Sequence, residues 1–152
     1  MSLEKTLVLV KPDGVQRGIS GTIISRLESR GLKIVGMKLF HISTALAMKH
    51  YGAHEGKPFF QGLVNFITSG PVVGIVFEGP RAVALVRNTM GSTDPLDAQP
   101  GTIRGDLGIE IGRNLVHGSD STESAQQEIG IFFSEDELVD YNRDLDTWII
   151  ES

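Results

Sequence analysis

One short stretch, residues 114–128, contains most of the side chains that could form or support a nucleophile. His117 is followed by Gly118 and Ser119, and Glu128 comes nine residues after the serine. An imidazole becomes an effective nucleophile when a hydroxyl or carboxylate fixes its orientation, and Ser119 and Glu128 could do so. Gly118 is expected to leave clearance beside the ring. Because a lone histidine at a strand end is often only a packed residue, residue types alone leave a structural role for His117 open.

Three basic residues lie next to breaks in the predicted secondary structure, where side chains from distant parts of the chain can converge. Lys11 ends the first predicted strand, Arg87 lies on the helix after the third strand, and Arg104 lies in a long loop. Phosphoryl transfer depends mainly on fixed charges that stabilise the phosphate oxygens. If these cations converge on His117, they predict attack on phosphorus; separately, each would be an ordinary surface cation.

Several common sites are absent from the sequence. It has neither a Gly-x-x-x-x-Gly-Lys-Ser/Thr phosphate loop nor a Gly-x-Gly-x-x-Gly turn after a strand, which argues against P-loop and dinucleotide enzymes. There is no cysteine, and His50 with His54 lacks the pattern of a zinc protease, so no metal site formed by the protein is predicted. If magnesium is bound, it would be held by the phosphates of a nucleotide and a few waters rather than by the protein. Phe59 is predicted to stack on a base, while Phe60 points elsewhere on its helix.

The composition is that of an ordinary globular protein. At 152 residues, with 40% hydrophobic and 22% charged residues, the chain is predicted to form one domain over residues 1–152. A formal net charge of −5 argues against a nucleic-acid partner, which needs a basic surface. No apolar run approaches the ~20 residues of a membrane span, so no membrane partner is predicted. The first residues do not resemble a signal peptide and cysteine is absent, which favours the cytoplasm.

The apolar pattern predicts an alternation of strands and helices that would bring these residues together. Strands are predicted at 6–10, 32–40, 72–77 and 115–117, and helices at 20–30, 44–51, 59–68, 80–90 and 120–129. The order β-α-β-(αα)-β-α-β is that of a ferredoxin-like βαββαβ sandwich, an α+β fold with a four-stranded antiparallel sheet and helices on its surface. Residues 91–113 show no period and are predicted to form a loop that is functional or mobile.

Local signals set the expected ends of these elements. The segment 11–14, Lys-Pro-Asp-Gly, is expected to stop the first strand, and Ser20 to cap the first helix. Pro80 is expected to open the helix that follows the third strand. Asp120 and Glu123 resemble a capping pair for the last helix.

Three motifs resemble those of the nucleoside diphosphate kinase family. They are Asn114-Leu-Val-His117-Gly-Ser-Asp-Ser, Pro100-Gly-Thr-Ile-Arg-Gly-Asp106 and Lys11-Pro-Asp-Gly-Val, and the resemblance covers essentially the whole chain. It implies a ferredoxin-like core and a ping-pong transfer of the γ-phosphoryl group from a nucleoside triphosphate to a nucleoside diphosphate, through a phosphohistidine at His117. It also implies broad base specificity, since stacking on Phe59 suits every base.

The resemblance also implies a role for each matched residue. Glu128 and Ser119 would orient the ring of His117, and Lys11 would contact the transferred phosphate. The nucleotide-binding residues would be Lys11 and Asn114 at the ribose, Arg87, Thr93, Arg104 and His54 at the phosphates, Phe59 at the base, and Tyr51 in the lining of the site.

The resemblance carries an expectation about assembly as well. Family members are hexamers, or tetramers when the C-terminal tail is shorter. Here the tail reaches Trp148, so a homo-hexamer is expected and a tetramer stays open. Asp94 and Leu107 depart from the residues usual in the family, next to matched positions. The alternative hypothesis, from another class of protein, is a non-catalytic nucleotide-binding regulator on the same fold.

Overall fold

The computed structural model describes residues 2–151 and contains one four-stranded antiparallel sheet within them. The strands are β1 (Glu4–Val10), β2 (Lys33–Phe40), β3 (Val72–Gly79) and β4 (Val116–Gly118). The helices are α1 (Pro12–Gln16), α2 (Ser20–Ser29), α3 (Thr44–His50), α4 (Phe60–Ile67), α5 (Ala82–Met90), α6 (Ile103–Leu107) and α7 (Thr122–Phe132). The strand order β2-β3-β1-β4 confirms the predicted ferredoxin-like fold. Met1 and Ser152, the ends of the predicted domain, lie outside the described residues.

Strand β1 lies inside the sheet and is buried on both faces, as its continuous apolar sequence predicts. Val8 and Val10 pack with α2 and α5 on one face, whereas Leu7 and Leu9 pack with α3, α4 and α7 on the other. Because successive side chains of a strand point to opposite faces, this one segment contributes to two hydrophobic cores. The end of β1, where Lys11 follows Val10, is therefore held rigidly from both sides.

Strand β2 is continuous and contains a bulge next to Gly36. Its pairing with β3 shifts register between Ile34 and Gly36. The carbonyl of Val35, which lies between them, accepts a 2.7 Å hydrogen bond from the backbone N–H of Val139 in the tail. A Cβ at residue 36 would lie 2.8 Å from the side chain of Leu138. The glycine and the bulge thus let the tail pack against the edge of the sheet.

Two predicted helix caps are wrong. Ser20 is the first residue of α2 rather than its cap, because the chain enters this helix directly from Ile19. For α7, the cap is Ser121, whose hydroxyl accepts a hydrogen bond from the N–H of Ser124. Asp120 is unavailable as a cap because its carboxylate lies 2.8 Å from the guanidinium of Arg87.

The start of α5 also differs from the prediction. The helix begins at Ala82 rather than Pro80, after Arg81 in a left-handed conformation with φ of 51°. The carboxylate of Glu4, on the neighbouring strand, accepts a 3.2 Å hydrogen bond from the N–H of Val83. A group distant in sequence therefore supplies the acceptor that a local cap would otherwise provide.

Two segments read as irregular contain short helices. Residues 11–14 end β1 as predicted, but α1 begins at once at Pro12. The predicted loop 91–113 contains α6 and two single-turn 3₁₀ helices, Pro95–Asp97 and Ile111–Arg113. Helices of three to five residues are too short to show a 3.6-residue period, so the apolar pattern could not reveal them. None of the helices in residues 2–151 has the length and apolar character required to cross a membrane.

Candidate active site

A cleft of about 800 Å³ opens beside the C-terminal end of β1 and the short strand β4. Ten of the residues predicted from the sequence line it: Lys11, Tyr51, His54, Phe59, Arg87, Thr93, Arg104, Asn114, His117 and Glu128. The remaining one, Ser119, is fully buried behind the wall of the cleft. The structure therefore gathers side chains that come from five separate parts of the chain around one histidine.

The ring of His117 is held by a carboxylate from the following helix. His117 lies in β4 opposite Leu9, and its Nε2 is 2.9 Å from Oε1 of Glu128 in α7. Burial raises the pKa of Glu128, but hydrogen bonds from His117 and Ser119 outweigh it and leave the pKa below its usual value. Since an ionised carboxylate only accepts hydrogen bonds, Nε2 carries the proton. In the neutral ring, the lone pair is then on Nδ1.

Ser119 is connected to the ring of His117 through the carboxylate of Glu128. Its hydroxyl donates a 2.7 Å hydrogen bond to Oε1 of Glu128. The same hydroxyl lies 3.4 Å from the backbone nitrogen of Leu7 in β1. The serine thus fixes the carboxylate relative to the sheet, and the carboxylate fixes the imidazole.

Gly118 has a different role from the expected clearance beside the histidine ring. A Cβ at this position would lie 2.6 Å from Sδ of Met90 and 2.9 Å from a methyl group of Val86, both in α5. The glycine is therefore needed for the close packing of β4 on α5. That packing also brings Arg87 of α5 near the strand, where its guanidinium donates a 3.1 Å hydrogen bond to the carbonyl of Gly118.

Lys11 and Asn114 form a hydrogen-bonded pair at the floor of the cleft. Nζ of Lys11 donates to Oδ1 of Asn114 at 2.7 Å, and Nδ2 of Asn114 donates to the carbonyl of Thr93 at 2.9 Å. Burial, followed by the positive charge of Arg104, lowers the pKa of Lys11 to about 8, although Asp13 opposes this shift. The ammonium group still has two N–H donors to offer an anion.

An unusual backbone conformation holds this pair in place. Leu115 has φ of 75°, a region that residues with a side chain rarely occupy. Its N–H donates to a carboxylate oxygen of Asp13 at 3.0 Å, and its carbonyl accepts from the N–H of Lys11 at 2.9 Å. The turn before β4 is thereby locked to the end of β1. Asp13 was not identified from the sequence, because nothing local signals a partner 102 residues away.

Arg104 is an anchor as well as a cation. Only 4% of the residue is exposed, and its guanidinium donates to three backbone carbonyls, those of Gly91, Asn114 and Val116. Burial, followed by the charge of Arg87, lowers its pKa to about 10, so it is protonated at neutral pH. Three of its five N–H donors are engaged, which leaves two for a ligand. The apparently irregular segment 91–113 is thus tied to β4 through this one side chain.

The outer part of the cleft is aromatic. Phe59 is 50% exposed, whereas Phe60 is buried in the core, which confirms the predicted difference between the two. The ring of His54 lies 5.2 Å from that of Phe59, and the ammonium of Lys57 lies 5.7 Å from the Phe59 centroid. Burial, with a smaller contribution from the charge of Glu128, raises the pKa of Tyr51 to about 12, so its hydroxyl keeps its proton.

His50 belongs to the site and was missed in the sequence, where it was considered only as a partner of His54. Its ring meets that of His117 edge-on at 4.8 Å, and its Nδ1 lies 4.0 Å from the second oxygen of Glu128. Burial and the charge of His117 lower the pKa of His50 to about 4, against the opposing effect of Glu128. Its position on α3 facing α7 depends on tertiary packing, which sequence spacing did not reveal.

Comparison with known proteins agrees with this geometry. A family model described as nucleoside diphosphate kinase matches residues 4–138. The nucleoside diphosphate kinase of Carboxydothermus hydrogenoformans is 62% identical over 149 residues, 98% of this chain and 100% of its own, and that of Desulforamulus reducens is 60% identical over the same shares. The solved structure of a halophilic nucleoside diphosphate kinase from Halobacterium salinarum in complex with CDP has a TM-score of 0.96 and 55% identity, covering 99% of this chain and 100% of that one.

A sandwich of this topology, with a histidine and the cations Lys11, Arg87 and Arg104 lining one cleft, is the arrangement expected of a phosphotransferase. The full-length matches make the assignment specific: the chain belongs to the nucleoside diphosphate kinase family. It is an enzyme that transfers the terminal phosphoryl group of a nucleoside triphosphate to a nucleoside diphosphate. The alternative of a non-catalytic regulator has no comparable support.

Proposed function

We propose that the kinase reaction proceeds by a ping-pong mechanism in which Nδ1 of His117 accepts the phosphoryl group. The observation that carries this proposal is the 2.9 Å contact between Nε2 of His117 and Oε1 of Glu128. A neutral imidazole has one protonated and one unprotonated nitrogen, and the contact with a carboxylate assigns the proton to Nε2. The electron pair that can attack phosphorus is then the one on Nδ1.

In the first half-reaction the Nδ1 lone pair forms a bond to the γ-phosphorus of the nucleoside triphosphate. The bond between that phosphorus and the bridging oxygen breaks, and the nucleoside diphosphate leaves with the electron pair. The imidazole gains positive charge as the N–P bond forms, and the ionised Glu128 stabilises that charge through the Nε2 proton. In the second half-reaction a terminal oxygen of another nucleoside diphosphate attacks phosphorus and the N–P bond breaks, which regenerates His117.

The phosphates are proposed to bind to the donors that the cleft leaves free. Lys11, Arg87 and Arg104 each retain N–H groups beyond those that anchor them to the protein. Because their positions are fixed before the nucleotide arrives, little reorganisation is needed when charge develops. Thr93 and His54 complete the proposed phosphate contacts, and both line the cleft.

The nucleoside is proposed to lie toward the exposed aromatic end of the cleft. The half-exposed ring of Phe59 would stack on the base, Asn114 and Lys11 would contact the ribose hydroxyls, and Tyr51 would line the pocket. Stacking on one face without hydrogen bonds to the base edge supports a broad choice of bases. The relative from Halobacterium salinarum was solved in complex with CDP, which supports nucleotide binding at this fold.

Magnesium is proposed to enter with the nucleotide. Mg²⁺ prefers six oxygen ligands. The described cleft offers two carboxylates: Glu128 is hydrogen-bonded to His117 and Ser119, and Asp120 is paired with Arg87. These donors fit an ion held by nucleotide phosphates and water, with Asp120 as the nearby carboxylate. When bound, the ion would neutralise charge on the phosphate oxygens.

We further propose that residues 1–152 form one kinase domain, which works in the cytoplasm as a homo-oligomer, with a hexamer favoured over a tetramer. The absence of cysteine supports a reducing compartment. Large apolar side chains exposed on the described surface support burial between subunits: Leu39 is 66%, Leu96 is 85%, Ile109 is 84% and Trp148 is 89% exposed. Light scattering coupled to gel filtration would give the subunit number.

The mechanism is tested by incubating the protein with γ-labelled ATP and Mg²⁺ in the absence of an acceptor. The proposal requires a stable labelled protein whose phosphate is lost in acid and retained in base, and which returns the label to an added nucleoside diphosphate. His117→Gln should take up none. Full kinase activity without any labelled intermediate would instead indicate direct transfer between two bound nucleotides.

A further inference from the structure

His50 lines the same cleft but has no part in the phosphoryl transfer described above. The side chain of His50 is only 3% exposed, and its Nδ1 is buried without a hydrogen-bond partner among residues 2–151. A buried polar atom without a partner is unfavourable, and such atoms often mark a place where a ligand completes the structure. Nδ1 of His50 lies 4.0 Å from a carboxylate oxygen of Glu128, and the His50 ring packs against the ring of His117. A ligand of this nitrogen could therefore also contact those two residues.

His50, His117 and Glu128 form a cluster of metal-ligating groups. One nitrogen from each histidine and one oxygen of the glutamate lie within 4.8 Å of one another, and these residues are the one cluster of this kind in the described part of the chain. Ligands about 2.0–2.2 Å from a tetrahedral metal are roughly 3.4 Å apart, so the cluster must contract by about an ångström to bind an ion. Two of the three side chains reside on helices, α3 and α7, and the third on β4.

The donor set selects the kind of metal. Two imidazole nitrogens and one carboxylate oxygen, with room for water in the open cleft, form a ligand set typical of Zn²⁺. Mg²⁺ would be poorly bound by the same set because it prefers oxygen ligands in octahedral geometry. The positive charge of Lys11 nearby weakens metal binding, whereas the negative charge of Glu128 strengthens it.

We propose that Zn²⁺, or a divalent ion of similar chemistry, binds His50, His117 and Glu128 and switches the enzyme off. The inference rests on the proposed role of His117 as the phosphoryl acceptor.

Zinc would inactivate the enzyme because it moves the proton of His117 from one ring nitrogen to the other. Its Nε2 faces Glu128, so an ion bound by Glu128 and His50 takes the Nε2 lone pair in place of the proton there. A neutral imidazole coordinated through Nε2 carries its proton on Nδ1. The proton therefore moves from Nε2 to Nδ1 through solvent, and the nitrogen that attacks phosphorus loses its lone pair.

Zinc binding is measured first without nucleotide, by competition with a chromogenic chelator, so that the result does not depend on catalysis. We expect one Zn²⁺ per chain for the wild type. His50→Phe keeps an aromatic ring against Tyr51 and Phe132 but removes the nitrogens, and should weaken binding at least about 10-fold. His41→Gln removes an exposed histidine outside the cleft and should bind zinc as the wild type does. Equal affinity of the wild type and His50→Phe would overturn the site.

Kinase activity is then measured with free Zn²⁺ fixed by a metal buffer, each variant being compared with its own zinc-free rate. The wild type and His41→Gln should lose activity over the range in which the site fills, and His50→Phe should need at least about 10-fold more zinc. Inhibition through thiols is excluded because the chain contains no cysteine. Zinc that fills the site without slowing the reaction would overturn the proposed inhibition, and failure to bind would overturn the site itself. The acceptor role of His117 is tested separately by the labelling experiment with γ-labelled ATP.

Cobalt provides a measurement on the wild type alone, independent of how well His50→Phe folds. Co²⁺ bound by two nitrogens, one carboxylate oxygen and water in tetrahedral geometry gives strong visible absorption, and Zn²⁺ should displace it. Weak absorption typical of octahedral, water-bound cobalt would count against the proposed ligands.

Discussion

The hydroxyl of Ser119 donates a 2.7 Å hydrogen bond to Oε1 of Glu128, the same oxygen that lies 2.9 Å from Nε2 of His117. A chain of two hydrogen bonds therefore connects a fully buried serine to the proposed nucleophile. Because Ser119 is behind the wall of the cleft, its effect on catalysis should pass through the carboxylate and leave nucleotide binding largely unchanged.

Replacing Ser119 by alanine should lower kcat about 10-fold with little change in KM, because the loss of one charge-assisted hydrogen bond costs about 1.5 kcal/mol. Steady-state kinetics with ATP and a nucleoside diphosphate measure both constants. Ser29→Ala, on an exposed position of α2, is the matched control and should behave as the wild type. An increase in KM at unchanged kcat would assign the serine to substrate binding instead.

The pH dependence of kcat/KM should follow the loss of the proton from Lys11. Its pKa is lowered to about 8 by burial and by Arg104, so the ammonium group is charged below this pH and neutral above it. A neutral amine attracts phosphates weakly, and kcat/KM, which reports the free enzyme, should therefore fall as the pH rises through about 8. Lys11→Arg keeps its charge over this range and should lack that decline, whatever its overall rate. A wild-type kcat/KM that is flat up to about pH 9.5 would exclude Lys11 as the responsible group.

Two adjacent phenylalanines should affect different properties when each is changed to alanine: Phe59 nucleotide binding, and Phe60 stability. Phe59→Ala removes a half-exposed ring and should raise KM for purine and pyrimidine nucleotides alike by about 5- to 150-fold, the equivalent of ~1–3 kcal/mol of stacking, with little loss of stability. Phe60→Ala leaves a cavity in the core and should lower the free energy of unfolding by about 3–5 kcal/mol. Nucleotide titration and denaturant unfolding distinguish them. A selective loss of purine binding in Phe59→Ala would argue against a general stacking surface.

The segment that carries Arg104 should be sensitive to one added methyl group. A Cβ at Gly105 would lie 2.1 Å from the carbonyl oxygen of Gln99. At that distance the two atoms overlap, so the backbone would have to move substantially. Gly105→Ala should therefore displace α6, and we expect both a lower melting temperature and at least a 10-fold loss of kcat/KM. At Gly112, an added Cβ would meet no described atom within 4 Å, so Gly112→Ala should be close to neutral. Equal behaviour of the two variants would show that α6 does not position the site.

The sequence predicted the strands of the sheet and most of the residues that line the cleft, because both leave local signals. The apolar run of β1 and the cations at the ends of elements are visible in the sequence, and the family motifs connect them to His117. The errors arose where a distant group replaces a local one. Glu4 stabilises the start of α5 and Asp13 fixes the turn at Leu115, and neither pairing follows from sequence spacing. His50 was missed for the same reason.

The central claim is that Nδ1 of His117 carries the phosphoryl group. It is tested most directly by phosphorylating protein labelled with ¹⁵N-histidine, using ATP alone, and recording the ring nitrogen spectra together with ³¹P. The account predicts that one phosphate per chain is attached to Nδ1 of His117, that Nε2 keeps its proton beside Glu128, and that the phosphate disappears when a nucleoside diphosphate is added. Attachment at Nε2, or at another residue in the active enzyme, would contradict it.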